Sequence, residues 1–192
     1  MKFILYEEAS KDRISIKGEI HKYLIKVRRH KLGDEIDLRA KDNLSTLHSY
    51  KISSIDAKSL ELVLVSSKML EVKSEKYLHV AWCVIDAKSI EKVLPILNEL
   101  GVSRITFVYC DRSQRNIRLD FTRFERILEA SMQQCGRSSM MELDERKSIK
   151  EFLQEFNDVV VFDFCQNTLA SDANFKRVLV GCEGGFSQSE RE

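Results

Sequence analysis

Short apolar segments separated by polar turns fill the first part of the chain. Four of them are rich in β-branched or other apolar residues and predict strands at 2–6, 35–39, 47–55 and 59–65. One helix is predicted at 18–30, where apolar residues recur at helical spacing: Ile20, Tyr23, Leu24 and Val27. Short strands with a single helix predict a small β-barrel over residues 1–69, of a size that often carries RNA-binding modules.

After residue 77, continuous apolar segments alternate with amphipathic ones. The apolar segments predict strands at 78–85, 104–110, 159–164 and 178–182, and the amphipathic segments predict helices at 88–100, 121–134 and 149–156. Strands that are apolar throughout and separated by helices are typical of a parallel sheet covered on both faces. The predicted fold class is therefore α/β: the barrel over 1–69, a linker over 70–76 and a parallel-sheet α/β domain over 77–192.

The composition narrows the class of protein. Lys and Arg number 31 against 30 acidic residues, so any anion-binding surface must be a local one. The amino terminus lacks a signal-peptide pattern and no apolar segment has membrane-spanning length, which predicts a soluble cytoplasmic protein with no membrane partner. The five cysteines are scattered and have no metal-ligand spacing, which predicts buried thiols rather than disulfides or a metal site.

The segment 178–187 is the most informative one, because an apolar strand ends there in a glycine-rich turn. Gly181, Gly184 and Gly185 are three of the seven glycines in the chain. Such a turn lets the backbone approach a ligand that any Cβ would exclude, and in open parallel sheets ligands bind at the carboxyl ends of strands. The spacing matches neither a P-loop nor G-x-G-x-x-G, so the ligand need not be a phosphate. An ordinary tight turn after a buried strand is the alternative.

Basic residues gather in three places. A dense cluster around the first helix suits a nucleic-acid backbone, and the loop after the predicted strand 104–110 carries Arg112, Arg115 and Arg118, which suit phosphate recognition. Arg137 follows Gly136 at a predicted helix end, where an arginine with only a structural role should be exposed. Solvated surface residues are the alternative in all three places. The histidines and serines form no triad or nucleophile elbow, so hydrolase chemistry is not indicated.

Four segments, in order, resemble one family. Val27, Arg29 and Gly33-Asp34 match its "VLR…GD" segment, and residues 98–103 with 111–113 match "ELGVS…RS". Residues 134–137 match "Q-S/C-G-R", and residues 181–187 with Glu190 match "GPEGGFS..E". The chain therefore resembles the RsmE-type ribosomal RNA uridine-N3 methyltransferases of the SPOUT (trefoil-knotted) class. The resemblance implies a PUA-like RNA-binding barrel, a SPOUT domain that binds S-adenosylmethionine, and a homodimer that methylates one uridine of 16S rRNA or the 30S particle.

The resemblance also implies roles for particular residues. The cofactor is expected to contact the glycine loop and the end of a neighbouring strand: Phe164, Gly181, Cys182, Glu183, Gly184 and Gly185. RNA is expected to contact basic residues in both domains: Lys26, Arg28, Arg29, Lys31, Arg112 and Arg115. As catalytic residues, Arg137 would stabilise the uracil anion, and Glu183 would bind a cofactor amine or act as base. Because the family acts as a dimer, Arg137 can serve the site of the partner subunit.

Four departures from the family pattern bear on these expectations. Cys182 replaces a proline, Tyr23 replaces a common histidine, and the helix at 88–100 begins with fewer lysines. The sequence also ends at Glu192, before the family's "LG-x-R-I-L-R-x-E-T-A" segment, which completes the cofactor site. We expect a truncated sequence. The alternative function is a non-catalytic RNA-binding protein that has lost its cofactor pocket.

Overall fold

A computed structural model of the protein describes residues 1–114, 116–170 and 173–192. The chain divides into two compact units. Unit 1 comprises Met1–Lys73 with Met132–Ser139, and unit 2 comprises Ser74–Ser131 with Met140–Glu192. Within the described ranges, every helix is too short or too polar to cross a bilayer.

Unit 1 is built on a five-stranded sheet that curls into a half-barrel. Its strands follow the order β1-β3-β4-β5-β2, with only β1 and β3 parallel. Their bounds are β1 Ile4–Leu5, β2 Arg13–Lys17, β3 Glu35–Ala40, β4 Asn43–Ile55 and β5 Ser59–Met69. Alternate residues of the strands, such as Ile14 and Ile16, point into one apolar core.

The helix of unit 1 departs from the predicted helix at 18–30. A short helix, α1 (Gly18–Lys22), continues into a π-helical turn at Tyr23–Val27, where the Arg28 amide donates to the Tyr23 carbonyl at 2.9 Å. A π-turn is wider than an α-turn, so the buried face is displaced. Leu24 is fully buried, but Val27 is 65% exposed and Tyr23 37% exposed. The four apolar residues at helical spacing therefore do not form one buried face, and the helical segment ends before residue 30.

Unit 2 contains a five-stranded, wholly parallel sheet, as the apolar segments predict. Its strands are β6 His79–Cys83, β7 Arg104–Val108, β8 Glu142–Arg146, β9 Val160–Phe162 and β10 Arg177–Val180. Its helices are α2 Ala87–Glu99, α3 Phe121–Cys135, α4 Ile149–Glu155 and α5 Gln188–Arg191, of which α3 ends in the segment grouped with unit 1. Separate apolar clusters, one containing Val80 and one containing Ala81, cover the two faces of the sheet.

The order of the strands in unit 2 locates a site for a ligand. The sheet runs β8-β7-β6-β10-β9, so the chain steps from β6 through β7 to β8 and then crosses to β9 and β10 on the other side of β6. The crossover from β8 to β9 therefore passes β7, β6 and β10, and the return to β10 places that strand directly beside β6. In open parallel sheets, ligands bind at the carboxyl ends of the strands, which here lie together at one edge.

Candidate functional site

The glycine loop, residues 181–187, follows the carboxyl end of β10. The Gly185 amide donates to the Cys182 carbonyl at 2.8 Å, which closes a tight turn. Gly185 has φ +66°, a conformation that favours glycine. Phe186 is 3% exposed and packs with Ala81 and Leu179 beneath the loop. One end of the loop is thus fixed to the core, while Glu183 and Gly184 are exposed.

The glycines leave the backbone of this loop uncovered. A Cβ at Gly181 would lie 3.4 Å from the Gly185 Cα and from the Phe186 ring. A Cβ at Gly184 would lie 3.2 Å from Cδ of Arg112, which is closer than most real contacts. The absence of Cβ atoms therefore lets the loop pack closely against Phe186 and Arg112, and it leaves the exposed peptide group of Gly184 bare.

Arg112 holds the exposed part of the glycine loop. Its Nη1 donates to the Gly184 carbonyl at 2.5 Å. Arg112 belongs to a turn after β7, in which the Ser113 amide donates to the Cys110 carbonyl at 3.0 Å. The Cys110 amide donates in turn to Ser113 Oγ at 3.1 Å. This closed turn fixes the backbone of Arg112, so its side chain is positioned beside Gly184.

Asp111 and Glu190 connect the same turn to the end of the glycine loop. Ser187 caps α5, and its amide donates to Glu190 Oε2 at 2.8 Å in a capping box. Glu190 Oε1 accepts a hydrogen bond from the Asp111 amide at 2.8 Å. The Asp111 carboxylate accepts one from Ser187 Oγ at 2.5 Å. Two of these hydrogen bonds, one to each carboxylate, therefore connect the loop after β7 to the segment after β10.

A third loop joins them through Arg191. Its guanidinium donates to both Asp163 carboxylate oxygens, at 2.7 and 3.1 Å. Asp163 directly follows β9, and the hydrogen bond from Arg191 is the main reason that its pKa lies below the usual value. The carboxyl ends of β7, β10 and β9 are thus connected through α5.

A cavity of about 770 Å³ lies beside this network, which is within the size range of small-molecule sites. Its lining comes from the turn after β7, the start of α4 and the end of the chain, including Cys110, Asp111, Ile149, Lys150 and Glu190. In the described part of the chain, residues 181–187 do not line it. The cavity therefore borders the connections of the glycine loop rather than its bare backbone.

The structure brings together most of the residues for which cofactor contacts are expected. Gly181, Cys182, Glu183, Gly184 and Gly185 lie in one loop. Phe164 lies two residues beyond β9 and is 93% exposed, so its ring is open to a ligand and has almost no packing role. Arg112, for which an RNA contact is expected, instead contacts the glycine loop. Arg115 lies outside the described residues.

Arg137 does not have the exposed position expected for an arginine after a helix end. It lies in the segment Met132–Ser139, which is grouped with unit 1, and it is only 7% exposed. Its Nε donates to Ser139 Oγ at 3.0 Å, and burial lowers the pKa of its guanidinium. Replacement of Arg137 will therefore cost stability as well as any function that it has.

The four basic residues of unit 1 for which RNA contacts are expected form an exposed group, which we call the basic surface: Lys26, Arg28, Arg29 and Lys31. None of the four forms an ion pair with a described residue. Arg29 has φ +58°, an uncommon conformation for a residue with a side chain. The π-turn also exposes Tyr23 and Val27 among these charges, so the surface combines cationic and apolar groups.

The supporting role of the acidic residues around the site was not predicted from the sequence, although Glu190 and Asp111 lie in the segments that resemble the family. The role of Glu190 has a local signal, because Ser187 and Glu190 have the S-x-x-E spacing of a capping box. Asp111 and Asp163 each follow a strand of the parallel sheet, but their partners lie 79 and 28 residues away in sequence. No local pattern indicates such pairs.

Comparison with known proteins gives consistent results at the levels of family, sequence and fold. The family model described as "RNA methyltransferase domain" matches residues 72–192. The "Ribosomal RNA small subunit methyltransferase E" of Helicobacter pylori is 41% identical over 100% of this chain and 86% of its own length. The crystal structure of the protein of that name from Neisseria gonorrhoeae, bound to S-adenosyl methionine, has a TM-score of 0.76 at 17% identity, over 100% of this chain and 84% of that one. A probable rRNA-methyltransferase from Porphyromonas gingivalis gives the same TM-score at 20% identity, with the same two coverages.

Proposed function

The chain belongs to the ribosomal RNA small subunit methyltransferase E family of RNA methyltransferases, and we propose that it methylates N3 of one uridine in small-subunit ribosomal RNA with S-adenosylmethionine as donor. The observation that carries this proposal is the glycine loop, which presents bare backbone at the carboxyl end of β10 in the parallel sheet. Its spacing lacks the phosphate-binding motifs, which suits a cofactor without phosphates.

The residues at this edge of the sheet fit such a cofactor. Peptide groups of Gly181–Gly185 would bind the adenosine, and the exposed Phe164 ring would cover an apolar face of the ligand. The Glu183 carboxylate is exposed on the same loop and can pair with an ammonium group. Arg112 would keep the Gly184 carbonyl in position for this contact.

The chemistry joins a methyl carbon to uracil N3, with loss of the N3 proton and cleavage of a sulfur–carbon bond. S-adenosylmethionine supplies the electrophilic methyl group. The protein must hold N3 in line with that group and stabilise negative charge on the uracil. We assign the second task to Arg137, whose guanidinium is not neutralised under physiological conditions.

Glu183 has two possible roles, which kinetics can separate. If its carboxylate accepts the N3 proton, Glu183→Gln lowers the single-turnover rate and leaves the Kd for S-adenosylmethionine unchanged. If it binds the cofactor ammonium, the same substitution raises that Kd. Gln preserves the shape of the side chain, so the loop itself should be little affected.

We further propose, from the likeness to the family, a homodimer in which Arg137 serves the site of the partner subunit. Mixing Arg137→Ala chains with Glu183→Gln chains tests this arrangement. Random exchange makes half of the dimers mixed, and each mixed dimer has one intact site of two, so about a quarter of wild-type activity should return. No recovery would mean that both residues act within one chain.

The substrate would be held by the basic surface of unit 1. Four exposed cations without ion pairs among the described residues can neutralise RNA phosphates, and the exposed Tyr23 ring offers a base a stacking surface. The partner is small-subunit ribosomal RNA, free or in the 30S particle.

Calorimetric titration with S-adenosylmethionine and nucleoside mass spectrometry of methylated 16S rRNA test the function. Wild-type protein should bind the cofactor and form 3-methyluridine. Gly184→Ala should abolish measurable binding with an unchanged circular dichroism spectrum, because its Cβ would press against Arg112 and displace the Gly184 carbonyl that Arg112 holds. Gly18→Ala is the control for an added Cβ in the other unit: Gly18 has φ +67° and an open surrounding, so the change can strain the backbone without affecting the glycine loop. Unchanged affinity in Gly184→Ala would reduce the loop to an ordinary tight turn.

A further inference from the structure

Three cysteines lie at the carboxyl ends of three adjacent strands. Cys83 is the last residue of β6. Cys110 lies two residues after the end of β7, and Cys182 lies two residues after the end of β10. Because β6 lies between β7 and β10 in the sheet, all three thiols are at the same edge. The Sγ atoms of Cys110 and Cys182 are 3.5 Å apart, although 72 residues separate them in sequence. Neither takes part in a disulfide.

Both thiols of this close pair belong to the loops that form the candidate site. Cys110 begins the turn that carries Arg112, and its Sγ lies 3.1 Å from Ser113 Oγ. Cys182 is the second residue of the glycine loop, and its Sγ lies 3.7 Å from the Gly185 carbonyl. The pair therefore spans the same two loops that Arg112, Asp111 and Glu190 connect.

The two thiols also differ from Cys83 in access. Cys83 is fully buried, and burial raises the pKa of its thiol. Cys110 lines the cavity of about 770 Å³, and Cys182 is partly exposed. Small oxidants can therefore reach Cys110 and Cys182, whereas Cys83 is enclosed.

We propose that Cys110 and Cys182 are a redox modification site, at which a peroxide forms a reversible disulfide between the turn after β7 and the glycine loop. The Cys110 thiolate attacks a peroxide oxygen, the oxygen–oxygen bond breaks, and a sulfenic acid and one water form. Cys182 then attacks that sulfur, the sulfur–oxygen bond breaks, and a second water leaves. Two thiols are oxidised and one hydrogen peroxide is reduced to two waters.

The electrostatic surroundings identify Cys110 as the first thiol to react. Burial opposes its ionisation, but hydrogen bonds from Ser113, Cys182 and Cys83 outweigh burial and lower the pKa of Cys110. The pKa of Cys182 is raised, chiefly by burial. Since the thiolate is the nucleophile, Cys110 should attack peroxide and Cys182 should resolve the sulfenic acid.

The disulfide should displace the glycine loop. A disulfide requires its sulfur atoms to be about 2.05 Å apart, so the present separation of 3.5 Å must shorten by about 1.5 Å. Displacement of about 1 Å in a positioned site can cost a hundredfold in activity. We therefore expect the oxidised protein to bind S-adenosylmethionine at least about tenfold more weakly than the reduced protein. This consequence rests on the proposed function, whereas the disulfide does not.

Peptide mapping tests the disulfide directly. After treatment with hydrogen peroxide and alkylation of free thiols, trypsin places Cys83, Cys110 and Cys182 in the separate peptides 77–88, 105–112 and 178–191. The linked pair 105–112 with 178–191 should appear and should vanish on reduction with dithiothreitol. A link from either cysteine to peptide 77–88 instead, or no link, would overturn the proposal.

Calorimetry on the same samples tests the consequence, with each variant compared in its oxidised and reduced forms. The wild type and Cys165→Ser should lose affinity on oxidation and regain it on reduction, because Cys165 is an exposed thiol outside the pair. Cys110→Ser should have the same affinity in both conditions. A linked protein with undiminished affinity would refute the regulatory effect. Reduced wild-type protein that does not bind would instead refute the proposed function, while peptide mapping would still decide the disulfide.

Discussion

Arg112 offers a sharp test of the site, because the sequence and the structure suggest different partners for it. As part of an arginine-rich loop it is expected to contact RNA phosphates. In the structure its Nη1 donates to the Gly184 carbonyl at 2.5 Å. Arg112→Ala removes the guanidinium from either partner and should therefore reveal which contact the protein uses.

The size of the effect follows from that hydrogen bond. A hydrogen bond from a charged donor contributes about 1.5–3 kcal/mol, and exposure of both residues favours the lower value. If this free energy holds the loop in its binding conformation, a loss of about 1.4 kcal/mol weakens cofactor binding about tenfold. The remaining connections, through Asp111 and Glu190, should keep the loop folded.

Two titrations separate the roles of Arg112. Calorimetry gives the Kd for S-adenosylmethionine, and rRNA binding at several salt concentrations gives the number of phosphates contacted. If Arg112 positions the loop, its loss raises the Kd for S-adenosylmethionine and leaves the salt slope of rRNA binding unchanged. If Arg112 contacts a phosphate, its loss leaves that Kd unchanged and lowers the steepness of the salt slope by about 1.

Arg118→Ala is the matched control, since Arg118 is an exposed arginine of the same loop for which no contact with the glycine loop is found among the described residues. Arg112→Lys should recover part of the affinity, because lysine supplies a donor without the fixed fork of guanidinium. Wild-type cofactor affinity in Arg112→Ala, together with a reduced salt slope, would refute the positioning role.

Three further predictions concern unit 1 and the sheet. If the basic surface neutralises about four phosphates, the logarithm of rRNA affinity should fall against log salt with a slope of roughly −3 to −4, and a flat line would contradict it. Arg137→Ala should slow single-turnover methylation by about a hundredfold or more, with lysine a poor substitute. Because Arg137 is 7% exposed, its loss should also lower Tm measurably, so an unchanged Tm would contradict its burial. Burial lowers the pKa of His79 to about 4. Because the unfolded state then binds a proton more readily than the folded state, the free energy of unfolding should fall as the pH drops from about 6.5 to 4. His79→Gln should flatten that dependence.

Some elements of the fold could be predicted from the sequence because their local patterns are strong. The apolar strands of unit 2 indicate the parallel sheet, and His79, fully buried with Nε2 2.7 Å from Thr106 Oγ1, is the core residue that its apolar strand predicts. β8 was missed because its sequence, Glu142–Arg146, is mostly charged. It lies at the edge of the sheet, where Asp144 pairs with Arg104 and Arg146. An edge strand stabilised by ion pairs carries no apolar signal.

Other errors arise from features with weaker sequence signals. β2, Arg13–Lys17, was missed although Ile14 and Ile16 alternate with polar residues, since two apolar positions give a faint period. The π-turn at Tyr23–Val27 adds one residue per turn to the helix, and no residue type specifies it. Its effect is nevertheless large, because it leaves Val27 on the surface although its spacing places it on the apolar face of the predicted helix.

The candidate site likewise has one part that local sequence predicts and another part that depends on contacts between residues distant in sequence. Glycine spacing indicates the loop at 181–185, since a backbone without Cβ atoms is a property of the sequence itself. Its support is not local: the partners of Gly184 and Glu190 lie 72 and 79 residues away, in the turn after β7. Only the strand order brings that turn near the glycine loop, because β6 alone separates β7 from β10.

That strand order also brings the proposed binding loop and the proposed redox pair into one small region. Three adjacent parallel strands end at one edge, so each contributes a loop whose first residues lie close to those of its neighbours. A cysteine at each of these positions necessarily gathers thiols where the ligand would bind. The connections through Asp111 and Glu190 then keep Cys110 near Cys182 as well as Arg112 near Gly184. Weakening those connections, for example by Asp111→Asn, should therefore lower cofactor affinity and slow disulfide formation together, because both depend on the same separation of the two loops.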